Sequence, residues 1–264
     1  MTRQSPLRRT AARAPRRLPA LAALTLAAAC WSSPDAVMAN HPVEPTEAEF
    51  TATITREVGY RFLIYLPKDY DADEAVRWPL VVFLHGAGER GDELAKVAVH
   101  GPPMQAARGD DLPFIVVAPQ CPAGSWWDPD AVAALARHVT REHRVDASRV
   151  YLTGLSMGGF GTWETAAKHP DLFAAIAPVC GGGNPLWGHG LARTPVWAFH
   201  GDADSVVPPA MTEVMAFGMR RFGRAEPRLT IYPDVGHDSW VRAYNDPELY
   251  RWLLSHARED GADE

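Results

Sequence analysis

Five short runs of apolar residues divide the middle of this chain, and none of them contains a charged residue. They lie at 80–84, 114–118, 150–152, 174–177 and 196–199. Strands that are apolar on both faces are typical of a parallel sheet with helices on both sides. The spacing of the runs therefore predicts an α/β fold in which each run is one buried strand.

The segments around these runs complete the predicted architecture. The stretch at 128–143 places Val132, Leu135, Ala136 and Val139 on one face, as in an amphipathic helix. We predict further elements by the same reasoning: helices at 160–168, 208–222 and 247–258, a last strand at 229–232, and two antiparallel strands at 50–55 and 60–67. The prediction is one doubly wound domain with about eight strands, mostly parallel.

Length and composition agree with a single domain of the size common among α/β enzymes. The chain has 264 residues and is 47% hydrophobic, enough to bury one large core. We find no internal repeat and no linker between residues 45 and 258. The predicted domain therefore spans residues 50–258, with a short linker at 40–49 and a tail at 259–264.

The first 39 residues have the composition of an export signal. Six Arg precede an apolar stretch at 18–29, and small residues then lead to Val37-Met38-Ala39. This order predicts a signal peptide at 1–39 and a secreted or periplasmic protein. Three alternatives are a lipoprotein anchored through Cys30, a twin-arginine signal at Arg16-Arg17, and an uncleaved amphipathic start.

The charge of the remaining chain argues against two classes of partner. After residue 39 the sequence has 20 basic and 31 acidic residues, a net charge of −11. Such a surface disfavours nucleic acid and anionic lipid. No apolar run reaches the roughly 18 residues that a membrane span requires, so we predict no transmembrane segment.

The pentapeptide Gly154-Leu155-Ser156-Met157-Gly158 joins a predicted strand to a predicted helix. A sharp turn of this kind exposes the Ser hydroxyl in a strained position, and it needs neighbours without bulk. Active sites of doubly wound sheets collect at the carboxyl ends of the strands. Three other segments that follow predicted strands carry polar residues: 85–91, 200–204 and 234–238. Ser, Asp and His thus follow one another at strand ends in the order of a hydrolase triad.

Each candidate has a chemical role. Ser156 is a poor nucleophile alone, and His237, on a loop after Gly236, is the candidate base. The acid that would orient His237 is Asp202, Asp204 or Asp238, and such Asp residues also form turns and helix caps. Attack by Ser156 on a carbonyl group would form an oxyanion, which would accept hydrogen bonds from the backbone N–H groups of Met157 and Ala87. Gly86 and Gly88 would let the loop of Ala87 approach this oxyanion closely.

Other residues carry weaker signals. Trp126, Trp127 and Trp187 are candidates for the substrate pocket, with the alternative that one Trp of each group packs under a loop. Glu89 and Arg90 would pair at the pocket mouth or bind a polar group of the substrate. His85 and His200 are interpreted as structural histidines. No His, Cys or carboxylate spacing is typical of a zinc site, so we predict no metal and no cofactor.

These motifs together resemble the α/β-hydrolase superfamily, most closely its phospholipase/carboxylesterase and dienelactone-hydrolase-like branch. That branch includes feruloyl and polyhydroxybutyrate esterases and predicted secreted peptidases. The resemblance covers about residues 50–257 and implies Asp204 as the acid, since relatives place it third after His-Gly and before Val-Pro. It also implies a strand order that sets Cys121 and Cys180 about 14 Å apart, too far for a disulfide.

The expected function is that of a secreted serine hydrolase that cleaves carboxylic esters through an acyl-enzyme. Its substrate would be a small or oligomeric ester. One alternative is a serine peptidase of the prolyl-oligopeptidase type, although the chain is too short for the propeller domain of those enzymes. Another is a hydrolase fold that has lost catalysis and serves in binding, which the intact Ser, Asp and His disfavour.

Overall fold

Seven strands form one sheet within residues 47–259, the part of the chain that the computed structural model describes. The predicted signal peptide, Cys30 and the C-terminal tail after residue 259 lie outside the described residues. The strands are Phe62–Tyr65 (β1), Trp78–Leu84 (β2), Ile115–Pro119 (β3), Val145–Leu155 (β4), Ala175–Val179 (β5), Trp197–Gly201 (β6) and Arg228–Tyr232 (β7).

The strands are arranged in the order β1-β3-β2-β4-β5-β6-β7. β1 pairs with β3 in the antiparallel direction, and every other neighbouring pair is parallel. The predicted mostly parallel sheet is therefore confirmed. Because the parallel strands share one direction, the loops that follow β2, β4, β6 and β7 emerge at the same edge.

The predicted strand at 50–55 is wrong, and the described sheet has seven strands rather than about eight. Residues 47–61 have no regular secondary structure. The side chains of Phe50 and Ile54, which carried the alternating pattern, are 91% and 90% exposed. Alternation stabilises a strand only when one face is buried against a core, and here neither apolar side chain is buried.

Six α-helices lie in the described residues, and four of them coincide with the predicted segments. The helices are Gly101–Ala107 (α1), Pro129–Glu142 (α2), Met157–Lys168 (α3), Ala210–Gly218 (α4), Trp240–Asn245 (α5) and Pro247–Leu254 (α6). A π-helical turn at Met219–Gly223 extends α4. Short 3-10 helices occur at Ala87–Glu89, Leu94–Ala98 and Pro185–His189. The sequence did not predict α1 and α5.

The start of α2 is fixed by Asp128. Its carboxylate accepts the N–H groups of Asp130 and Ala131, which lack partners within the helix, and Pro129 occupies the first helical position. Arg56 forms an ion pair with the same carboxylate. The predicted apolar face of α2 is buried, so capping and burial together explain why the helix forms here.

Alternate residues of each central strand contribute to two separate cores. On β2, Leu80, Val82 and Leu84 face a core completed by residues of α2, α3 and α4. Val81 and Phe83 face the opposite core, which α5 and α6 complete. Burying one such side chain contributes roughly 1.5–3 kcal/mol to the free energy of folding. Because both faces of the sheet are covered, the strands read as unbroken apolar runs in the sequence.

Cys121 and Cys180 are both free and buried, as expected. They follow β3 and β5, and β2 and β4 lie between those strands. Burial raises the pKa of Cys121 to about 11 and that of Cys180 to about 12, so both are neutral thiols at physiological pH.

None of the helices between residues 47 and 259 has the length and hydrophobicity needed to cross a bilayer.

Candidate active site

Ser156 occupies the turn between β4 and α3, with φ 53° and ψ −117°. A non-glycine residue with positive φ is strained by about 1–3 kcal/mol, and such strain concentrates at functional sites. The turn sends the chain directly from the last strand residue, Leu155, into the first helical residue, Met157. The predicted strand–turn–helix geometry is thus present, with Ser156 at its apex.

The two glycines that flank Ser156 are required by close backbone contacts. A Cβ on Gly158 would lie 1.9 Å from the carbonyl oxygen of Leu84, at the end of the neighbouring strand β2. A Cβ on Gly154 would lie 2.5 Å from the carbonyl oxygen of Gly158. Helix α3 can therefore approach the ends of β2 and β4 only because neither position has a side chain.

Ser156, His237 and Asp204 form a continuous hydrogen-bonded chain. His237 Nε2 lies 2.9 Å from Ser156 Oγ, and His237 Nδ1 lies 2.7 Å from Asp204 Oδ2. Asp204 Oδ1 accepts the N–H groups of Val206 and Val207, each at 2.9 Å. This arrangement can move a proton from a hydroxyl to an imidazole that a carboxylate holds in place.

The electrostatics of Asp204 favour its ionised form. Burial alone would raise the pKa of this carboxyl, but the hydrogen bonds from His237, Val207 and Val206 outweigh burial and lower the pKa below its usual value. The carboxylate is therefore negative at neutral pH. It can hold the N–H of His237 Nδ1 and stabilise the imidazolium that forms when His237 Nε2 takes a proton.

The other two candidate acids make different contacts. The Asp202 carboxylate accepts the N–H of Asp234 at 2.8 Å, which fastens the loop after β6 to the loop after β7. The backbone carbonyl of Asp238 accepts the N–H of Val241 at the start of α5. The structure thus brings Asp204 to His237. Asp204 also makes the local turn contacts, with Val206 and Val207, whereas Asp202 joins two loops.

Both candidate oxyanion donors lie at the first residue of a helix. Ala87 begins a 3-10 helix and Met157 begins α3. The first N–H groups of a helix have no acceptor within it, so both remain able to bind an anion.

His85 braces the peptide that carries the N–H of Ala87. His85 Nδ1 donates to the carbonyl oxygen of Gly86 at 2.6 Å, and His85 Nε2 accepts the N–H of Cys121 at 3.0 Å. The carbonyl of Gly86 and the N–H of Ala87 belong to one planar peptide and point in opposite directions. Burial lowers the pKa of His85, which keeps the ring neutral as these two bonds require. His85 is therefore structural, in line with its interpretation from the sequence.

Only one of the two glycines around Ala87 is constrained by its neighbours. A Cβ on Gly86 would meet Leu155 Cδ1 at 2.9 Å and Glu89 Oε2 at 3.2 Å, with Ser156 Cβ at 3.7 Å. A Cβ on Gly88 would meet nothing within 4 Å. The expected close approach of the loop therefore depends on Gly86, and Gly88 lies in open space.

Glu89 and Arg90 contact different groups. Arg90 Nε donates to the carbonyl of Ala87, and its Nη1 donates to the carbonyl of Ser125, each at 3.1 Å. The Glu89 carboxylate instead lies 3.9 Å from both His85 Nδ1 and His100 Nε2. Arg90 thus ties the loop of Ala87 to the loop before α2, and the expected Glu89–Arg90 pair is replaced by these contacts.

The three candidate Trp residues have different environments. Trp126 is 53% exposed, and its ring lies 6.0 Å from that of Phe160, one turn after Ser156. Trp187 is half-buried over Gly183. Trp127 is only 2% exposed, and its Nε1 donates to the carbonyl of His85 at 3.1 Å. Trp127 is therefore a core residue under the loop, and its assignment to the pocket wall is corrected.

Sequence reasoning missed two aromatic residues near the candidate triad. Trp240 lies in an edge-to-face contact with His237, with ring centroids 5.4 Å apart. Phe160 packs against Trp126. The signal for Phe160 was its position four residues after Ser156, which helix α3 brings onto one side. Trp240 had no such signal, because His237 lies in the turn before α5.

Within residues 47–259 the structure contains no group of three or more His, Cys, Asp and Glu side chains that could hold a metal ion. The Ser156 N–H faces the sulfur of Cys180 at 3.3 Å and the carbonyl of Val179 at 3.0 Å.

Comparison with known proteins identifies one family. The Esterase family, described as "Putative esterase", matches residues 53–247. Poly(3-hydroxyalkanoate) depolymerase C of Paucimonas lemoignei is 34% identical over 121 residues, which cover 39% of this chain and 28% of that protein. Feruloyl esterase B of Thermothelomyces thermophilus is 26% identical over 161 residues, which cover 55% of this chain and 52% of that protein.

A solved structure confirms the fold. The crystal structure of a thermostable esterase superposes with a TM-score of 0.65 at 33% sequence identity, covering 75% of this chain and 59% of that one. The chain thus spans about half or less of the two curated relatives named above and about three fifths of this solved structure.

Proposed function

This chain belongs to the Esterase family, within the α/β-hydrolases, and from that premise we propose that it hydrolyses carboxylic esters through an acyl-enzyme on Ser156. The observation that carries the proposal is the hydrogen-bonded chain from Ser156 Oγ through His237 to Asp204 Oδ2, at 2.9 and 2.7 Å. The esterase activity of the relatives supports the same reaction class.

In the first half of the reaction, Ser156 Oγ attacks the ester carbonyl while His237 Nε2 takes the hydroxyl proton. Asp204 holds Nδ1 and stabilises the imidazolium. The carbonyl oxygen becomes an oxyanion, which the N–H groups of Ala87 and Met157 bind. Loss of one such donor costs about 2.7–4 kcal/mol in enzymes of this kind. His237 then gives its proton to the leaving alkoxide, and the alcohol departs.

The second half repeats the same steps with water as the nucleophile. His237, neutral again, removes a proton from a water molecule that attacks the acyl-enzyme carbonyl. The same two backbone N–H groups bind the second oxyanion. Its collapse returns the proton to Ser156 Oγ and releases the carboxylic acid. All the charges that form are met by groups of this chain, so the mechanism requires no cofactor.

The surroundings of Ser156 favour a small or aromatic ester. The exposed Trp126 and the adjacent Phe160 form an aromatic wall one helical turn from Ser156, and such surfaces bind aryl or short acyl groups. Two relatives carry names that refer to polymer and feruloyl esters. We therefore propose that Trp126 contacts the substrate, with Trp187 at the edge of the same site.

The proposed location is the periplasm or the exterior of the cell. The support is the basic and apolar sequence of residues 1–39, which ends in small residues before Asn40. N-terminal sequencing of the protein made by its host checks this proposal. A mature chain that begins at Asn40 is expected, and retention of Met1 would contradict the proposal. A modified N-terminal Cys30 would instead indicate export as a lipoprotein.

A hydrolysis panel tests the proposed reaction. Wild-type protein is assayed with acetyl, butyryl and feruloyl esters and with aminoacyl anilides, beside Ser156→Ala and the control Ser255→Ala at the end of α6. We expect ester hydrolysis by the wild type and the control, and a loss of roughly 10⁴-fold or more in Ser156→Ala. Faster cleavage of anilides would favour a peptidase, and inactivity of the wild type towards every substrate would favour a binding role.

A further inference from the structure

His200, the second-last residue of β6, lies beside the same carboxylate oxygen of Asp204 that His237 contacts. Its side chain is fully buried, and so is that of Asp204, four residues later. Each ring nitrogen of His200 faces oxygen atoms. The positions of the protons on a buried imidazole follow from the donors and acceptors around it, so these oxygens determine the protonation of the ring.

The Nε2 side of the ring faces two acceptors. His200 Nε2 lies 2.8 Å from the carbonyl oxygen of Val207 and 3.2 Å from Asp204 Oδ2. A carbonyl oxygen only accepts, and the carboxylate of Asp204 is ionised and only accepts. A bare Nε2 lone pair directed at these oxygens would be repelled. His200 Nε2 therefore carries a proton.

The Nδ1 side faces a hydroxyl whose proton is already engaged. His200 Nδ1 lies 2.8 Å from Thr212 Oγ1, and Thr212 Oγ1 lies 2.6 Å from the carbonyl oxygen of Gly181. A hydroxyl has one proton, and the carbonyl can only accept it. Towards His200, Thr212 Oγ1 must then act as the acceptor, so Nδ1 carries a proton as well.

We infer that His200 is a buried imidazolium that forms a permanent ion pair with Asp204 and positions this carboxylate for His237. A neutral imidazole has only one N–H group, so either the contact of His200 with Thr212 or its contact with Val207 would lack a proton. A buried charge is tolerated when it is paired and hydrogen-bonded, and His200 satisfies both conditions. The catalytic part of this inference rests on the proposed function, but the charge of the ring does not.

Three hydrogen bonds and the ion-pair contact with His200 fix the carboxylate. Asp204 Oδ1 accepts two backbone N–H groups, and Oδ2 lies between His237 Nδ1 at 2.7 Å and His200 Nε2 at 3.2 Å. Asp204 therefore cannot rotate away from His237 without breaking contacts on its other three sides. His200 is in this sense a positioning residue, since it acts on His237 only through Asp204.

The charge of His200 also affects proton transfer. A cation beside Asp204 offsets part of the negative charge that stabilises the His237 imidazolium, so removing this cation should make a proton harder to take from His237. Besides His237, the Cys180 thiol interacts with Asp204, and Asp238 in turn interacts with Cys180. The pKa of Cys180 is raised by burial to about 12, so its thiol is neutral. Helix α4 presents the hydroxyl of Thr212 to the pair.

Nuclear magnetic resonance of the wild-type protein tests the charge directly. The full chain, labelled with ¹⁵N in its His rings, is observed at pH 7.5 by correlation of ring carbon-bound protons with ring nitrogens. We expect the two nitrogens of His200 to show the shifts of protonated nitrogens at a pH where exposed His rings are neutral. One protonated and one unprotonated nitrogen would overturn the inference. This result does not depend on any enzymatic activity.

The pH profile of kcat/KM tests the effect on catalysis. His200→Gln removes the charge but keeps an N–H donor for Val207, and His138→Gln on the surface of α2 is the matched control. We expect the acidic limb of the profile to move to higher pH by about one unit in His200→Gln and to stay in place in the control. An unchanged acidic limb in a folded His200→Gln protein would overturn the proposed role. If the wild-type protein hydrolyses no ester at all, the proposed function is refuted instead, and the charge of His200 is still decided by the resonance experiment.

Discussion

Two aspartates in one loop, two residues apart, make different contacts, and only Asp204 is buried. Asp204 accepts hydrogen bonds from its own loop and from His237, whereas Asp202 accepts the N–H of Asp234. The Asp202 contact joins the loop after β6 to the start of the loop that carries His237. One residue thus orients the imidazole directly, and the other fastens together the two loops that bring it there.

Replacing each aspartate by asparagine separates these tasks. Asp204→Asn is expected to lower kcat for short esters by roughly 10⁴-fold, because an amide cannot stabilise the imidazolium or fix its tautomer. Asp202→Asn keeps an oxygen that can accept the N–H of Asp234 and should leave kcat within about twofold. Steady-state kinetics of both variants, with circular dichroism as a check of folding, measure the difference. A large loss of kcat in Asp202→Asn alone would identify Asp202 as the acid instead.

At the residue scale, strand ends in the sequence were enough to predict that Ser156, His237 and an Asp of the loop after β6 lie close together. The pattern could not separate Trp126 from Trp127, because adjacent residues in a loop have similar local signals and very different burial. It also could not show that Arg90 binds backbone carbonyls, since carbonyl acceptors leave no trace in the sequence. Contacts of this kind depend on loop conformation, which is set by the assembled sheet.

At the scale of secondary-structure elements, the packing of α3 against the end of β2 determines whether the Ser156 turn can form. The nearest approach is at Gly158, where a Cβ would lie 1.9 Å from the carbonyl oxygen of Leu84. A backbone atom of a central strand cannot move aside as a flexible side chain can. The small residues of the pentapeptide therefore serve the contact between two elements as much as the turn itself.

Alanine substitution at two glycines tests this packing. Gly158→Ala should lower the free energy of unfolding by about 1–3 kcal/mol or more and reduce kcat, because α3 must move away from β2. Gly88→Ala is the matched control, since its Cβ would enter open space. We expect the control to retain stability and activity. Urea unfolding and ester hydrolysis of both variants measure the effect, and equal stability of the two would argue against the contact.

Elements with a continuous apolar run or a long amphipathic face could be predicted, and short or terminal elements could not. The strands from β2 to β6 are buried on both faces and appear as apolar runs, and helix α2 has one buried face that appears as a periodic pattern. Helix α1 has only seven residues and contains two consecutive prolines, so its sequence resembles a loop. The segment at 50–55 shows the opposite case, in which alternation is present but the side chains are exposed.

At the scale of the whole molecule, the buried His85 links folding stability to pH. Its pKa is lowered by burial in the folded protein, whereas in the unfolded chain it has the ordinary value of about 6.5. As the pH falls below about 6.5, the unfolded chain binds this proton first. The stabilising contribution of neutral His85 is therefore fully present above that pH and is lost progressively in acid.

His85→Asn isolates this contribution. Asn does not titrate, and it can donate to the carbonyl of Gly86 but cannot reach the N–H of Cys121 at the same time. The variant should therefore be less stable than the wild type at pH 7.5. The loss of stability between pH 7.5 and 5.5 should be smaller in the variant than in the wild type. Urea unfolding at both pH values gives the comparison. An equal or larger loss in His85→Asn would show that His85 does not carry this dependence.

The order of strands also has a consequence for how the protein folds. Ser156 and His237 are 81 residues apart in the chain, and Asp204 and His237 are 33 apart, yet all three meet at one edge of the sheet. Their contacts form only after β4, β5, β6 and β7 have aligned, because each of the three residues follows a different strand. Closing such long loops is slow compared with forming helices. During refolding, recovery of ester hydrolysis should therefore lag behind recovery of helical structure, and the enzyme's own turnover would report the completion of its sheet.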